Sequence, residues 1–241
     1  MVCDGVSVIT VTKRFNCISN VYKNYNNQNI KEKELIIVIN KDDINFNEYY
    51  EYFSILTNVY VYVKPESTPL GECLNFATTK AKFNIIAKFD DDDYYGPFYL
   101  NECINILNSD SIDVVGKIKP YYYLAKYKSL YVYNKGIENN YSETVMGSTL
   151  CFKKSILEKI QFKSVRYRED FLFNRDCLEN NFKIYASSRN NHIVYKFCDN
   201  NLHTWQCDIN YLIKSCTLIK SNIEFDQCFS IVDKIIDCWL Y

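Results

Sequence analysis

NIIAKFDDDDYY (residues 84–95) runs a short apolar segment straight into four aspartates. Asn84 to Phe89 has the length and β-branched content of a buried strand. Asp90, Asp91, Asp92 and Asp93 then fall where open α/β sheets place their ligands, beyond the carboxyl ends of the strands. Upstream, VSVITVT (6–12), ELIIVI (34–39) and Val59 to Val63 repeat the strand pattern. The intervening stretches Cys17 to Asn26, Phe46 to Leu56 and Gly71 to Ala81 carry apolar residues at helical spacing. Strands alternating with helices predict parallel βαβ units and an α/β fold of the Rossmann-like kind.

Downstream the pattern changes. DVVGKI (113–118), SLYVYN (129–134) and STLCF (148–152) are strand-like without long helices between them, predicting a mixed or antiparallel extension of the sheet. A helix is expected over 171–180, with strands near Lys183 to Ala186 and His192 to Phe197. Ile209, Leu212, Ile213, Cys216 and Ile219, then Phe225, Cys228, Phe229, Val232, Ile235, Ile236 and Trp239, predict two tail helices, 208–220 and 225–240. Their apolar faces are expected to pack on the domain or on a second copy of the chain. Asp226, Asp233 and Asp237 make the last one acidic, against the basic polar face usual for a membrane-surface helix.

Composition narrows the function classes. The chain has 241 residues, 48% of them apolar, enough for one substantial core. With 28 basic and 29 acidic residues it lacks the positive field of a duplex-DNA binder, so nucleic acid is not an expected partner. No run approaches the roughly 18 apolar residues of a membrane span. The 11 cysteines, odd in number and without paired spacing, suggest reduced thiols and a cytoplasmic protein, with any membrane contact peripheral at the inner face. The excess of Asn, Lys, Ile and Tyr suggests base-composition bias rather than function. No Walker or dinucleotide glycine loop is present.

Four adjacent carboxylates repel one another: a pair about 4 Å apart costs roughly 4 kcal/mol near a protein surface. A divalent cation relieves this, and hard oxygen donors suit Mg²⁺ or Mn²⁺ with positions left for phosphate oxygens. In extended chain, alternate side chains share a face, pairing Asp90 with Asp92 and Asp91 with Asp93. The structural alternative is a solvated acidic turn or helix cap before Pro97.

The succession VSVITVTKR, ELIIVINKDD, LGECLNFATTKAK and IAKFDDDDYYGPFYL resembles the donor-binding half of family 2 glycosyltransferases with the GT-A fold, over roughly residues 6–205. The resemblance implies a nucleotide-diphospho-sugar transferase domain over 1–205 and a helical C-terminal appendage over 206–241. It implies that Thr10, Thr12 and Arg14, with Asn40 at the end of the second strand, cradle the nucleotide. Many relatives carry paired aspartates at the Asn40 position. The family's Asp-x-Asp motif falls on Asp90 and Asp92, with Asp90 and Asp91 near the donor and Asp90 and Asp92 at the metal. His203, in NLHTW (201–205), is similar to a late histidine that supplies a third metal ligand in several such enzymes. Arg168, Glu169 and Asp170 resemble a second motif whose acidic residue deprotonates the acceptor, here Asp170 with Glu169 as its neighbour. The plain alternative is acidic residues at a helix N-terminus. Gly147 and Ser148 resemble a small-residue turn on the acceptor side, and Gly71 and Asn75 a helix start beneath the donor. Tyr121 to Tyr123, Tyr127, Tyr131 and Tyr133 could floor a sugar cleft or simply pack the core.

Together these imply a metal-dependent inverting enzyme, of hexosyl- or N-acetylhexosaminyl-transferase type, for polysaccharide biosynthesis. It would move a sugar from a nucleoside diphosphate donor, UDP-linked by expectation, to a hydroxyl of a glycan or other acceptor. Two other classes compete. One is a non-catalytic nucleotide-sugar-binding scaffold in a glycan-assembly complex. The other is a nucleotidyltransferase, which would want a glycine-rich basic loop that Thr10 to Asn16 lacks.

Overall fold

The computed structural model describes residues 5–44, 46–53, 57–109, 111–165, 167–198 and 208–235. Its first half follows the βα alternation. Strands β1 (Val6–Thr12), β2 (Lys33–Asn40), β3 (Val59–Lys64) and β4 (Ile85–Lys88) pair in parallel, in the order β3-β2-β1-β4. Helices α1 (Ile18–Asn27), α2 (Phe46–Phe53) and α3 (Leu70–Lys80) connect them. The sheet continues through antiparallel β10 (Cys151–Lys153), then β6 (Val114–Gly116), β11 (Ile184–Ala186) and β9 (Asn140–Tyr141), so it is mixed.

Alternation along the buried strands divides the core. Val6, Val8, Leu35, Ile37 and Ile39 pack with α1, α2 and α4 (Tyr99–Leu107). Ile9, Ile36 and Val38 face Cys73, Leu74 and Ala77 of α3 and Phe173 and Cys177 of α5 (Glu169–Glu179). Period-two side chains on a sheet covered on both sides produce these near-continuous apolar runs. Helix α4 is an addition to the sequence reading, although Tyr99, Leu100, Cys103, Ile104 and Leu107 repeat at helical spacing and are buried.

A second sheet has the order β13-β8-β7-β12-β5, from Cys216–Lys220, Ser129–Tyr133, Tyr121–Leu124, His192–Lys196 and Tyr94–Tyr95. Tyr122 and Tyr123 are buried in its packing, so core duty accounts for them, whereas Tyr127 is exposed. The tail departs from the expected pair of helices. α6 (Ile209–Lys214) stops at Ser215, and Cys216–Lys220 pairs antiparallel with β8. β-branched Thr217 and Ile219 suit a strand, and an available sheet edge overrides the helical spacing. A 3₁₀ turn at Asp226–Cys228 leads into the short α7 (Phe229–Val232), and the end of the expected last helix lies outside the described residues. Phe225, Cys228, Phe229 and Val232 pack against Tyr94 and Tyr123. Among the described residues no helix is long and apolar enough to cross a membrane, and eight cysteines are free thiols.

Candidate active site

Because β1, β2 and β4 are parallel and in register, Thr12, Asn40 and Asp90 emerge at one edge of the sheet. Phe89 N donates to Ile9 O at 3.0 Å, so the aspartates begin level with the end of β1. The loop they form is built into the protein through its backbone. Asn20 Nδ2 donates to the carbonyls of Asp91 (3.0 Å) and Asp93 (2.7 Å). Asn24 Nδ2 donates to Asp93 O at 2.8 Å, and Gln28 Nε2 to the carbonyls of Tyr95 (3.1 Å) and Gly96 (3.0 Å). These three amides recur every fourth residue on one face of α1 and its C-cap, where helical neighbours stack. Part of the Asn content read as compositional bias therefore fixes the acidic loop.

The four carboxylates alternate in exposure, as extended chain requires. Asp91 and Asp93 are buried, while the Asp90 and Asp92 side chains are 38% and 12% exposed. Thr12 Oγ1 donates to Asp91, and Arg14 Nε donates to Asp91 Oδ2 at 3.1 Å. Arg14 Nη2 pairs with both Asp91 and Asp92, the latter at 3.0 Å. Burial opposes the Arg14 charge, but Asp91 and Asp92 more than restore it, raising its pKa. Asp93 lies against His192, with Nε2 to Oδ2 at 3.4 Å, and accepts from Tyr195 N at 3.1 Å. Burial, with the Asp92 charge beside it, pushes the Asp93 carboxyl up to about 7. His192, wholly buried with Lys117 nearby, is pushed down to about 3 and is neutral at pH 7.

Lys88 is the link to the second acidic motif. This lysine, the last residue of β4, is buried and its ammonium pairs with Asp90. Burial disfavours its charge, yet the fields of Asp90, Glu169 and Asp170 raise its pKa. Glu169 and Asp170 open α5, where Arg168 takes the left-handed backbone with φ +65°. That conformation is costly for a residue with a Cβ and clusters at functional sites. Glu169 is buried and its pKa is raised by that burial, against the pull of Lys88. Asp170 is half-buried, its Oδ1 accepting from Phe171 N at 2.7 Å, as an acidic helix start would.

The Gly147–Thr149 3₁₀ turn sits between the two motifs. A Cβ on Gly147 would fall 2.2 Å from Asp170 Oδ2, so Asp170 packs directly on that glycine. Tyr95 ties the turn to the acidic loop: its hydroxyl donates to Ser148 O at 2.6 Å and accepts from Asp90 N at 2.7 Å. Gly71 and Asn75 of α3 act on the chain entering α5. A Cβ on Gly71 would meet Lys163 O at 1.8 Å, and Asn75 exchanges hydrogen bonds with Phe162 N (3.0 Å) and O (2.8 Å).

The sequence-predicted residues therefore fall as follows. Asp90, Glu169 and Asp170 all act on Lys88, Asp170 rests on the Gly147 turn, and Asp92 pairs with Arg14. Thr12, Arg14 and Asp91 form one hydrogen-bonded group beside them. Thr10 is buried within β1, and its hydroxyl has no partner among the described residues. Asn40 is buried, with Nδ2 donating to Pro65 O at 2.6 Å. His203 lies outside the described residues. Lys88, Tyr95 and the α1 amides are additions to the sequence reading.

Among the described residues no group of three or more His, Cys, Asp or Glu side chains is placed to hold a metal ion. Asp90 and Asp92 nonetheless offer two outward carboxylates, and Mg²⁺-type sites commonly take one or two carboxylates and complete their shell with water and substrate phosphate. Two carboxylates match the oxygen chemistry a hard divalent ion takes, and Lys88 and Arg14 already pair with them.

No family model and no curated protein matches this sequence. Solved structures do match in fold. S. aureus TarS residues 1–349 aligns with TM-score 0.61 and 18% identity, covering 79% of this chain and 60% of that one. The same TarS fragment in complex with UDP-GlcNAc aligns with TM-score 0.61 and 16% identity over 81% of this chain and 59% of that one. A longer TarS structure gives 0.59 and 17%, over 80% and 37% respectively. This chain thus spans about 60% of the TarS fragment.

Proposed function

We infer that this protein is a glycosyltransferase of the GT-A, family 2 kind. It moves a sugar from a nucleoside diphosphate donor, UDP-linked, to a hydroxyl of a glycan or other acceptor, inverting the anomeric centre. The observation that carries this reading is the meeting of two carboxylate sets, Asp90 with Asp92 and Glu169 with Asp170, at the carboxyl edge of a doubly covered sheet. The fold shared with TarS, a protein crystallised with UDP-GlcNAc, supports a nucleotide-sugar donor.

Each set has a chemical task. Asp90 and Asp92 would hold Mn²⁺ or Mg²⁺, with His203 as a third ligand, and the ion's chemistry is to offset charge on the departing diphosphate. Thr12, Arg14 and Asn40 line the edge from which the nucleotide would approach, and Arg14 pairs with Asp91 and Asp92 and orients them. A sugar hydroxyl is a weak nucleophile, so a carboxylate must accept its proton as the new bond forms. Asp170 is half-buried, whereas Glu169 is buried within the field of Lys88. Asp170 is therefore the base and Glu169 its positioning neighbour.

The reading requires Asp170→Asn to lose transfer from UDP-GlcNAc while still binding UDP, and Asp92→Asn to lose metal-dependent donor turnover. Transfer retained by both variants overturns it. One observation favours the second reading, a non-catalytic nucleotide-sugar-binding module: Arg14 and Lys88 already pair with three of the four aspartates. Donor consumption measured with and without acceptor separates the two.

A further inference from the structure

Lys88 is a buried lysine on the last turnout of a parallel strand, and elementary electrostatics asks why a charge is retained there. An ammonium loses its hydration when buried and persists only when paired. Its direct partner is Asp90, on the donor side of the site. The charges of Glu169, which is buried, and of Asp170 also act on it. The acceptor-side pair is fixed there by packing: Asp170 rests on Gly147, and the chain three residues beyond that glycine is bonded to Lys88 itself, Lys88 N donating to Leu150 O at 2.8 Å. Arg14 is committed to Asp91 and Asp92, and the buried Lys196 acts on Asp93. Asp90, Glu169 and Asp170 therefore all act on the Lys88 charge, and Asp90 pairs with it directly.

We propose that Lys88 is a positioning residue, a built-in counter-cation that joins the donor-side and acceptor-side carboxylates in one charge-balanced frame. In this frame Lys88 sets how strongly the acidic loop attracts a divalent ion before any nucleotide arrives. The ammonium repels such an ion from Asp90, so metal is recruited mainly together with the donor's diphosphate. This deepens the glycosyltransferase reading and rests on it for the identity of the two motifs.

The test uses Mn²⁺ alone. Free Mn²⁺ is titrated against the full chain and followed by electron paramagnetic resonance, in the wild type, Lys88→Met and Lys88→Arg, each checked for cooperative thermal unfolding. Lys88→Met keeps side-chain volume and removes the charge, so it is expected to bind Mn²⁺ about tenfold more tightly. Lys88→Arg restores the charge and is expected within about threefold of wild type. A lysine that merely fills space would move neither value. Equal or weaker binding by Lys88→Met overturns the proposal, as does absence of Mn²⁺ binding in both proteins. If Lys88→Met does not fold, Glu169→Gln reads the frame from the other side. With one carboxylate fewer to share, Lys88 pairs more fully with Asp90 and Mn²⁺ binding weakens about threefold; unchanged affinity overturns the proposal. The titration contains no nucleotide or sugar, so failure of sugar transfer in a separate assay would refute the enzymatic reading without deciding this one.

Discussion

Gly147→Ala probes the acceptor side of the site without replacing an ionisable group. The added methyl would stand 2.2 Å from Asp170 Oδ2 and 2.5 Å from Asp170 Cβ, where ordinary contact begins at 3.4 Å. Asp170 must therefore retreat by roughly 1 Å. The turn cannot give way easily, since Thr149 Oγ1 accepts from Lys117 N at 2.8 Å and Tyr95 holds Ser148 O at 2.6 Å. Overpacking of this kind costs about 1–3 kcal/mol of stability. A displacement of about 1 Å in a reacting group costs on the order of 10²-fold in rate. With UDP-GlcNAc and an acceptor, kcat is expected to fall by that order, while calorimetry finds UDP affinity unchanged within about twofold. Wild-type turnover in a folded Gly147→Ala variant would refute the placement of Asp170 as the base.

Other consequences follow from buried charge and close packing. Lys117 is fully buried, with Nζ donating to Glu102 Oε2 at 3.0 Å and Ser188 O at 2.7 Å; Lys117→Met alone should cost about 3–5 kcal/mol in urea unfolding, and adding Glu102→Met should recover more than half. His192 has its pKa lowered from 6.5 to about 3, so the unfolded chain binds the extra proton and stability contributed by this group is lost as pH falls from 6.5 toward 3. His192→Phe should flatten the melting temperature across that window, and an unchanged acid limb would contradict the assignment. Gly71→Ala drives a Cβ into Lys163 O, 1.8 Å away, and should lower both melting temperature and transfer by shifting the chain that leads to Asp170.

The parallel half was legible because buried strands such as VSVITVT and ELIIVI announce themselves by β-branched runs, and the structure places β1 at Val6–Thr12 as expected. The tail was not. Leu212 and Cys216 fit a helical period, but whether Cys216–Lys220 extends a helix or borders β8 depends on a sheet edge distant in sequence. At the site, the charge pattern picked out Asp90 to Asp93 and the motif resemblance picked out Glu169 and Asp170. Lys88 was invisible, because it looks like an ordinary solvated charge until the fold turns it inward, and Arg14, expected at the nucleotide, pairs instead with Asp91 and Asp92. The carboxylate repulsion that a divalent cation was expected to relieve is thus partly relieved by the chain itself. Likewise Asn20, Asn24 and Gln28 gain meaning only when α1 is laid along the acidic loop.

Anomalous diffraction at the manganese edge, from crystals grown with UDP and Mn²⁺, reaches the central claim most directly. One manganese peak is expected at Asp92, beside Asp90 and next to the bound diphosphate. A nucleotide bound away from the carboxyl edge of β1 and β4, or a peak that ignores both aspartates, would contradict it.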